Sequence, residues 1–237
     1  MVFRTLEKHW KLNLIMIFSS ILLFVFFLTL SMLFYPDGIS PTGYNGFEGY
    51  SFWRNYISDL GMTHTFGGIP NPFSSFLLLI GILILSIGGV LFYLIAFITF
   101  RNDNKTMIRI SSMGSIFGIS GCIFLLGVAI FPKDTQIELH ETTSALFFLF
   151  TFIAVLIYNH IIFLHEDISN KYTIFGYVFI ICGLIYAIIP KLIIPQLDDE
   201  TQFIFKPASQ KVAVISLLIA MVNYIIMIKK LKTNKNL

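Results

Sequence analysis

FSSFLLLIGILILSIGGVLFYLIAFITF, residues 73–100, contains no Asp, Glu, Lys or Arg. About 20 apolar residues in helical form cross the hydrocarbon core of a bilayer. Read as a helix, this run spans a membrane with residues to spare, which tilt it or carry it past the bilayer. Further runs of the same character lie at about 12–35, 108–131, 142–164, 172–190 and 211–229. The fold class that follows is all-α: a polytopic membrane protein, one domain over residues 1–237, built as a six-transmembrane-helix bundle. Composition agrees. Hydrophobic residues make up 56% of the chain and charged residues 12%, against roughly a quarter in soluble domains. Basic residues Arg4, Lys8 and Lys11 precede the first run as they would a signal peptide. The run is too long for a signal core and lacks a small-residue cleavage site, so it reads as an uncleaved span.

Loop charge gives the expected orientation. With a cytoplasmic N-terminus, the inner side holds Arg4, Lys8, Lys11, Arg101, Lys105, Arg109, Lys171, Lys229, Lys230, Lys232 and Lys235. The outer side holds only Arg54, Lys133, Lys191, Lys206 and Lys211. Both termini are therefore expected in the cytoplasm and the protein in the cell membrane. The formal charge of +3 is too small to imply nucleic acid as a partner. Cys122 and Cys182 fall inside apolar runs and read as free thiols.

Tyr35-Pro36-Asp37, Phe131-Pro132-Lys133-Asp134 and Ile189-Pro190-Lys191 are expected to stop the three outgoing helices, because proline ends a helix at or before its own position. Gly81, Gly88, Gly89, Gly114, Gly118 and Gly121 are expected to let helices approach closely. No ionisable carboxylate, lysine or arginine sits deep in a span. That argues against a proton-driven transporter, a pump or a voltage sensor. Of the polar residues within spans, Asn159, His160 and Asn223 lie toward the cytoplasmic ends, where interhelical hydrogen bonds satisfy them; Ser86 and Ser120 complete the set.

Chemistry, if any, is expected on the outer face. The loop 36–72 is punctuated by glycines and prolines and carries Tyr44, Phe47, Tyr50, Phe52, Trp53 and Tyr56. Such aromatics favour the headgroup level. Trp53 to Leu60 is expected to form a short helix with Asn55 and Asp59 on one face, Arg54 and Ser58 beside them, and Gly61 ending it. Asn71 and Pro72 have the order of an N-cap and a first helical residue. In the second outer loop Asp134 is placed to cap the next helix, with Glu138, His140 and Glu141 in its first turns. Asp198, Asp199 and Glu200 read as solvated charges.

These residues suggest two arrangements. Arg54 with amide and histidine groups would hold a phosphate or sugar headgroup. Alternatively Asp59, His64, His140 and Glu141 would hold a divalent metal or form an acid–base pair. The metal arrangement lacks support: His140-Glu141-Thr-Thr-Ser fails the H-E-x-x-H pattern, and no paired ligand spacing exists. No cofactor or metal is expected. Gly118-Ile119-Ser120-Gly121 matches the nucleophile motif of rhomboid-type intramembrane proteases, but no histidine lies at its depth.

The order of Asn55-Tyr56-Ile57-Ser58-Asp59-Leu60-Gly61, Pro70-Asn71, Phe131-Pro132-x-Asp134 and His140 resembles the six-span membrane family known as domain of unknown function 998, over roughly residues 12 to 229. That family looks distantly similar to the DRAM and FGF-receptor-activating-protein group, in which some members are tied to lipid remodelling. The resemblance implies a six-helix bundle with Asn55, Ser58, Asp59, Asn71, Asp134 and His140 among its recurrent outer polar residues. The leading expectation is an outer-leaflet polar pocket that binds or remodels a lipid headgroup. His140 and Asp59 would be the catalytic candidates; Arg54, Asn55, Ser58, Asn71, Asp134 and Glu141 would bind substrate. The rival is a non-enzymatic scaffold whose outer polar residues tie the loops together. Membrane lipids are the expected partners, with self-association or other membrane proteins beside them.

Overall fold

A computed structural model describes residues 2–36, 49–101, 104–192 and 198–234. Gly38, Pro41, Gly43, Tyr44, Gly46 and Phe47 of the first loop, and Asp37, lie outside the described residues. The helices are α1 (Val2–Lys8), α2 (Trp10–Leu33), α3 (Pro72–Phe100), α4 (Lys105–Ile130), α5 (Ile137–Leu164), α6 (Ile174–Leu192) and α7 (Asp199–Asn234). Six of them, α2 to α7, are long and apolar enough to cross a membrane. The chain is a multi-pass integral membrane protein. Cys122 and Cys182 are free, as expected.

Apolar side chains cannot drive helices together inside lipid, so association there depends on close packing and buried hydrogen bonds. The glycines supply the closeness. A Cβ on Gly88 of α3 would fall 1.8 Å from Ser20 Oγ of α2, and one on Gly118 of α4 would fall 2.2 Å from the Tyr93 ring. Gly121 lies against Thr151 and Gly183 against the Phe152 ring. The glycines around Ser120 are thus packing surfaces. Buried polar groups add direction: Ser115 Oγ meets Tyr158 Oη at 2.5 Å and donates to the Tyr93 carbonyl at 2.8 Å. Tyr224 Oη donates to Asn159 Oδ1 at 2.6 Å, and Asn223 donates to the Tyr172 carbonyl at 2.7 Å. Asn159 thus bonds α7 through Tyr224 and Asn223 bonds the turn before α6, while His160 is exposed.

The helices α2 to α5 pack in sequence, and α6 and α7 form a hairpin against them. Charges gather at the two ends. At one end Glu7 takes Arg101 at 2.7 Å and Lys232 at 3.8 Å. We call this the lysine-rich end. At the other, the loop end, Arg54 meets Glu200 at 3.0 Å and Lys133 meets Asp59 at 2.8 Å.

Proline stops are only partly obeyed. Helices α2 and α4 end just before Pro36 and Pro132, but α6 runs through Pro190 to Leu192. Likewise α7 begins at Asp199 rather than near 211 and carries Pro207 inside it. Its 36 residues make a rod of roughly 54 Å, well beyond the ~30 Å hydrocarbon core. Asp198 starts it, accepting Thr201 N–H at 2.9 Å and Thr201 Oγ1 at 2.7 Å. Asp198 and Glu200 are exposed, in keeping with solvated charges, and each also takes a partner: Asp198 caps α7 and Glu200 pairs with Arg54. The backbone hydrogen bond from Thr201, then its hydroxyl, holds the Asp198 carboxyl below its ordinary value.

Gly88→Ala should force α2 and α3 apart, because the new methyl meets Ser20 Cβ as well as its hydroxyl. The expected cost is about 1–3 kcal/mol, read as a lower unfolding temperature of the purified protein in detergent. Gly68→Ala, whose Cβ would meet nothing within 4 Å, tests backbone strain alone, since Gly68 has φ +77°.

Candidate functional site

Residues 49–71 form a cap on the loop end. Its first part is a turn, not the helix expected from Trp53. Arg54 and Asn55 both donate their N–H groups to the Ser51 carbonyl, at 3.2 and 2.9 Å. Asn55 Oδ1 in return accepts Ser51 N–H at 3.0 Å. This local side-chain bond competes with helix formation, and Tyr56 is extended. Only Ile57–Gly61 is helical, as one 3-10 turn ending at Gly61. Asn55 and Asp59 still meet, Nδ2 to Oδ2, at 3.4 Å.

Asp59 is fully buried at the centre of the cap. Its Oδ2 accepts Tyr56 N–H at 2.8 Å and its Oδ1 accepts Lys133 Nζ at 2.8 Å. Lys133 also lies over the Tyr56 ring, 4.4 Å from its centroid. Burial, aided by the negative charge of Asp59, pushes the Tyr50 phenol well above its ordinary value, and burial does the same to Tyr56. These phenols are neutral donors at any physiological pH.

Asn71 occupies the N-cap position before Pro72, yet its side chain does not cap α3. Its Nδ2 donates instead to the carbonyls of Leu60 and Met62, at 3.0 Å each. Those carbonyls end the 3-10 turn and have no helical successor to bond, so a side-chain amide is the better partner for them than a helix N–H is for Asn71. Ser74 Oγ adds a bond to the Leu60 carbonyl at 3.2 Å, and Ser31 of α2 bonds Ser74 in turn. The chain between them makes a small hairpin: Asn71 N–H reaches the Thr63 carbonyl and Thr65 N–H the Ile69 carbonyl, both at 2.8 Å.

Asp134 likewise does not cap its neighbouring helix; Gln136 stands at the N-cap of α5 without a side-chain bond. The Asp134 carboxylate reaches across to the cap, where Thr63 Oγ1 donates at 2.5 Å and the Thr63 and His64 N–H groups at 3.0 and 3.1 Å. An exposed carboxylate gains more from three converging donors than from a single helix terminus. His140 is buried, with Nδ1 donating to the Phe131 carbonyl at 2.8 Å, so Nε2 carries the lone pair. Arg54 pairs with Glu200 at the start of α7. Glu141 is exposed, and among the described residues neither it nor Ser58 joins these bonds.

Sequence reasoning missed Lys133, Lys211, Gln210 and Thr63. Lys211 of α7 is buried, its ammonium hydrogen-bonded to the Asn55 carbonyl and, at 3.4 Å, to that of Pro207. The Tyr50 and Phe52 rings flank it at 5.5 and 5.1 Å. Gln210 Oε1 accepts Ile57 N–H at 2.8 Å. A Gln-Lys pair opening an otherwise uncharged run was the available signal. Among the described residues no group of three His, Cys, Asp or Glu could hold a metal ion. The small cavity of the bundle lies elsewhere, between Phe92, Tyr93, Tyr158, Leu217, Met221 and Tyr224, and its walls are apolar.

A family model described as "Protein of unknown function (DUF998)" matches residues 44–228. The chain belongs to the DUF998 family. No curated protein and no solved structure matches it. The matched stretch of the DUF998 protein holds the whole cap and its anchors except Ser31; it leaves out α2, which the sequence resemblance had included from about residue 12.

The Asp134 clasp should be acid-sensitive. Partial burial raises its pKa, but the Thr63 hydroxyl, the Thr63 N–H and the His64 N–H outweigh that and hold the carboxyl below 3.8. A depressed folded-state value stabilises fully above 3.8, and that stabilisation is lost as pH falls through the folded value. Limited proteolysis between residues 63 and 70 should therefore accelerate below that pH. Thr63→Val, which deletes the hydroxyl donor, should shrink the acid-induced change and raise the cutting rate at neutral pH.

Proposed function

We propose that this DUF998 protein is a non-enzymatic membrane scaffold. Its loop end faces the extracytoplasmic side of the cell membrane, and its cap is the part that meets partners. The excess of lysine and arginine at the opposite end supports that orientation. One observation carries the functional reading: the fully buried Asp59 is committed to Lys133, Tyr56 N–H and Asn55, all within the chain. A general base or ligand-binding carboxylate needs a lone pair directed at a substrate position; here the carboxylate holds a loop. The Asn71 amide N–H groups, the Asp134 carboxylate and the Arg54–Glu200 pair are also committed within the chain, while Asn71 Oδ1 is buried with no hydrogen-bond partner among the described residues. The partners this reading names are membrane lipids, with other membrane proteins or a second copy beside them.

The lipid-headgroup reading retains one specific support. The ammonium of Lys211 is paired with carbonyls and ring faces, and no carboxylate among the described residues lies within ion-pair distance of it. An anionic headgroup would complement it.

One experiment separates the two. Asp59→Asn, Asn71→Ala and His140→Ala are purified in detergent, and unfolding temperature and lipids retained in native mass spectrometry are measured together. The scaffold reading expects Asp59→Asn to cost about 2–4 kcal/mol, tempered by the partial exposure of Lys133. It expects Asn71→Ala to cost about 1–3 kcal/mol, because two carbonyls lose their donor. The retained lipids should not change. Loss of one lipid species in Asp59→Asn or His140→Ala, with the unfolding temperature intact, would establish the headgroup reading instead.

A further inference from the structure

The turn at Ser51–Asn55 presents its two apolar side chains outward. Trp53 is 61% exposed and Phe52 43%. Their rings meet edge to face, centroids 5.1 Å apart. The two ends of the turn beneath them are tied within the chain. Ser51 N–H is taken by Asn55 Oδ1, the Ser51 carbonyl by two N–H groups, and the Asn55 carbonyl by Tyr50 Oη and Lys211 Nζ. Arg54, between the aromatics and the turn's end, is paired with Glu200. A turn built this way exposes two greasy rings on a tied base and leaves the Phe52 and Trp53 backbone to a hydrated layer, which suits the mixed zone of headgroups and water.

The surroundings extend the same surface. Leu33 and Phe34 at the end of α2 are 74% and 58% exposed, and Phe73 and Phe76 at the start of α3 are 70% and 60% exposed. These four close the lipid-facing walls of two spans at the loop end. Phe66 and Ile69 on the hairpin tip continue the band onto the cap, at 39% and 42%. An exposed apolar band continuous with lipid-facing helix walls is covered by what covers those walls.

We infer that the cap docks on the lipid bilayer itself, with Phe52 and Trp53 seated at the boundary between headgroups and acyl chains of the adjoining leaflet. Lys211 approaches the Phe52 ring from the protein side, leaving the Trp53 indole, with its single N–H donor, free to lie among headgroups. The inference names the partner of the cap in the scaffold reading and rests on it. Lipid contact is measured at Trp53, whereas that reading is tested at Asp59, so either can fail without the other.

The chain has two tryptophans, and they sit at opposite ends. Trp10 is buried at the lysine-rich end. Trp10→Phe therefore leaves Trp53 as the only indole. The variant is reconstituted in phosphatidylcholine vesicles containing lipids brominated at shallow or deep acyl positions. Trp53 should emit at shorter wavelength than free indole, be quenched more by shallow than by deep bromines, and be shielded from aqueous acrylamide. If Trp10→Phe does not fold, the difference between wild type and Trp53→Phe gives the same signal. Strong acrylamide quenching with no bromolipid quenching would place the turn in water and overturn the inference. Quenching by neither would mean that a protein surface covers Trp53, and stronger quenching by deep bromines would mean burial at span depth; each of these also overturns it.

Discussion

The contact between Asp59 and Lys133 sets the register of everything at the loop end. A carboxylate with no solvent exposure is expensive, and removing one partner leaves the other charge uncompensated. Asp59 persists there because Lys133, Tyr56 N–H and the Asn55 amide all converge on it. The partners come from two places: Lys133 follows α4, while Tyr56 and Asn55 lie in the cap just ahead of Asp59. Once Asp59 is fixed, the 3-10 turn can face its Leu60 and Met62 carbonyls toward Asn71. The Asn55 carbonyl then points at Lys211 of α7. One carboxylate thereby positions a loop against three helices.

The two kinds of cohesion in this protein follow the solvent around them. Within the spans, where lipid tails are as apolar as leucine, helices hold by shape: glycine against serine, glycine against tyrosine, with hydroxyl and amide bonds between them. At the ends, charged groups can stay partly hydrated, so ion pairs appear without the full penalty of burial. Glu7 gathers Arg101 and Lys232 at one end, as Asp59 and Asp134 gather the cap at the other. Asp59, with no solvent exposure, and Lys211 are the exceptions, and Lys211 has no carboxylate at ion-pair distance among the described residues. It is buried with carbonyl and aromatic partners, as tolerated where a long side chain reaches from a helix toward the interface.

What the sequence disclosed follows the same division. Hydropathy located all six spans because each must satisfy the bilayer by itself, residue by residue. The glycine surfaces were legible because a missing side chain has one plain use in a packed helix. The residues that gather at the loop end were legible as a set, since polar groups excluded from spans must collect in loops. Their partners were not. Asn71 stands where an N-cap stands, and Asp134 where a helix cap would be favoured, yet both side chains turn to carbonyls or N–H groups of a loop distant in sequence. Local patterns state which bonds are available, and tertiary geometry decides which is taken. Pro207 shows the same limit: a proline argues for a boundary, but Asp198 capping ahead of it and Gln210 bonding behind it carry the helix through.

The position of α7 explains why the cap matters beyond its own loop. The contacts of α5 with α6 are far sparser than those of α4 with α5, and α7 meets α3 and α5 mainly through side chains such as Phe92, Tyr224 and Asn159. Mid-span, α7 is packed by its side chains: its apolar window is the most buried of the six spans, with Ala213, Leu217, Ala220 and Met221 inside. Its ends are tied as well. Lys232 joins Glu7 at the lysine-rich end, while Glu200, Gln210 and Lys211 join Arg54, Ile57 and Asn55 at the loop end. A rod tied at both ends as well as along its buried face is held against swinging. The cap is thus a brace between the α6–α7 hairpin and the helices it packs on.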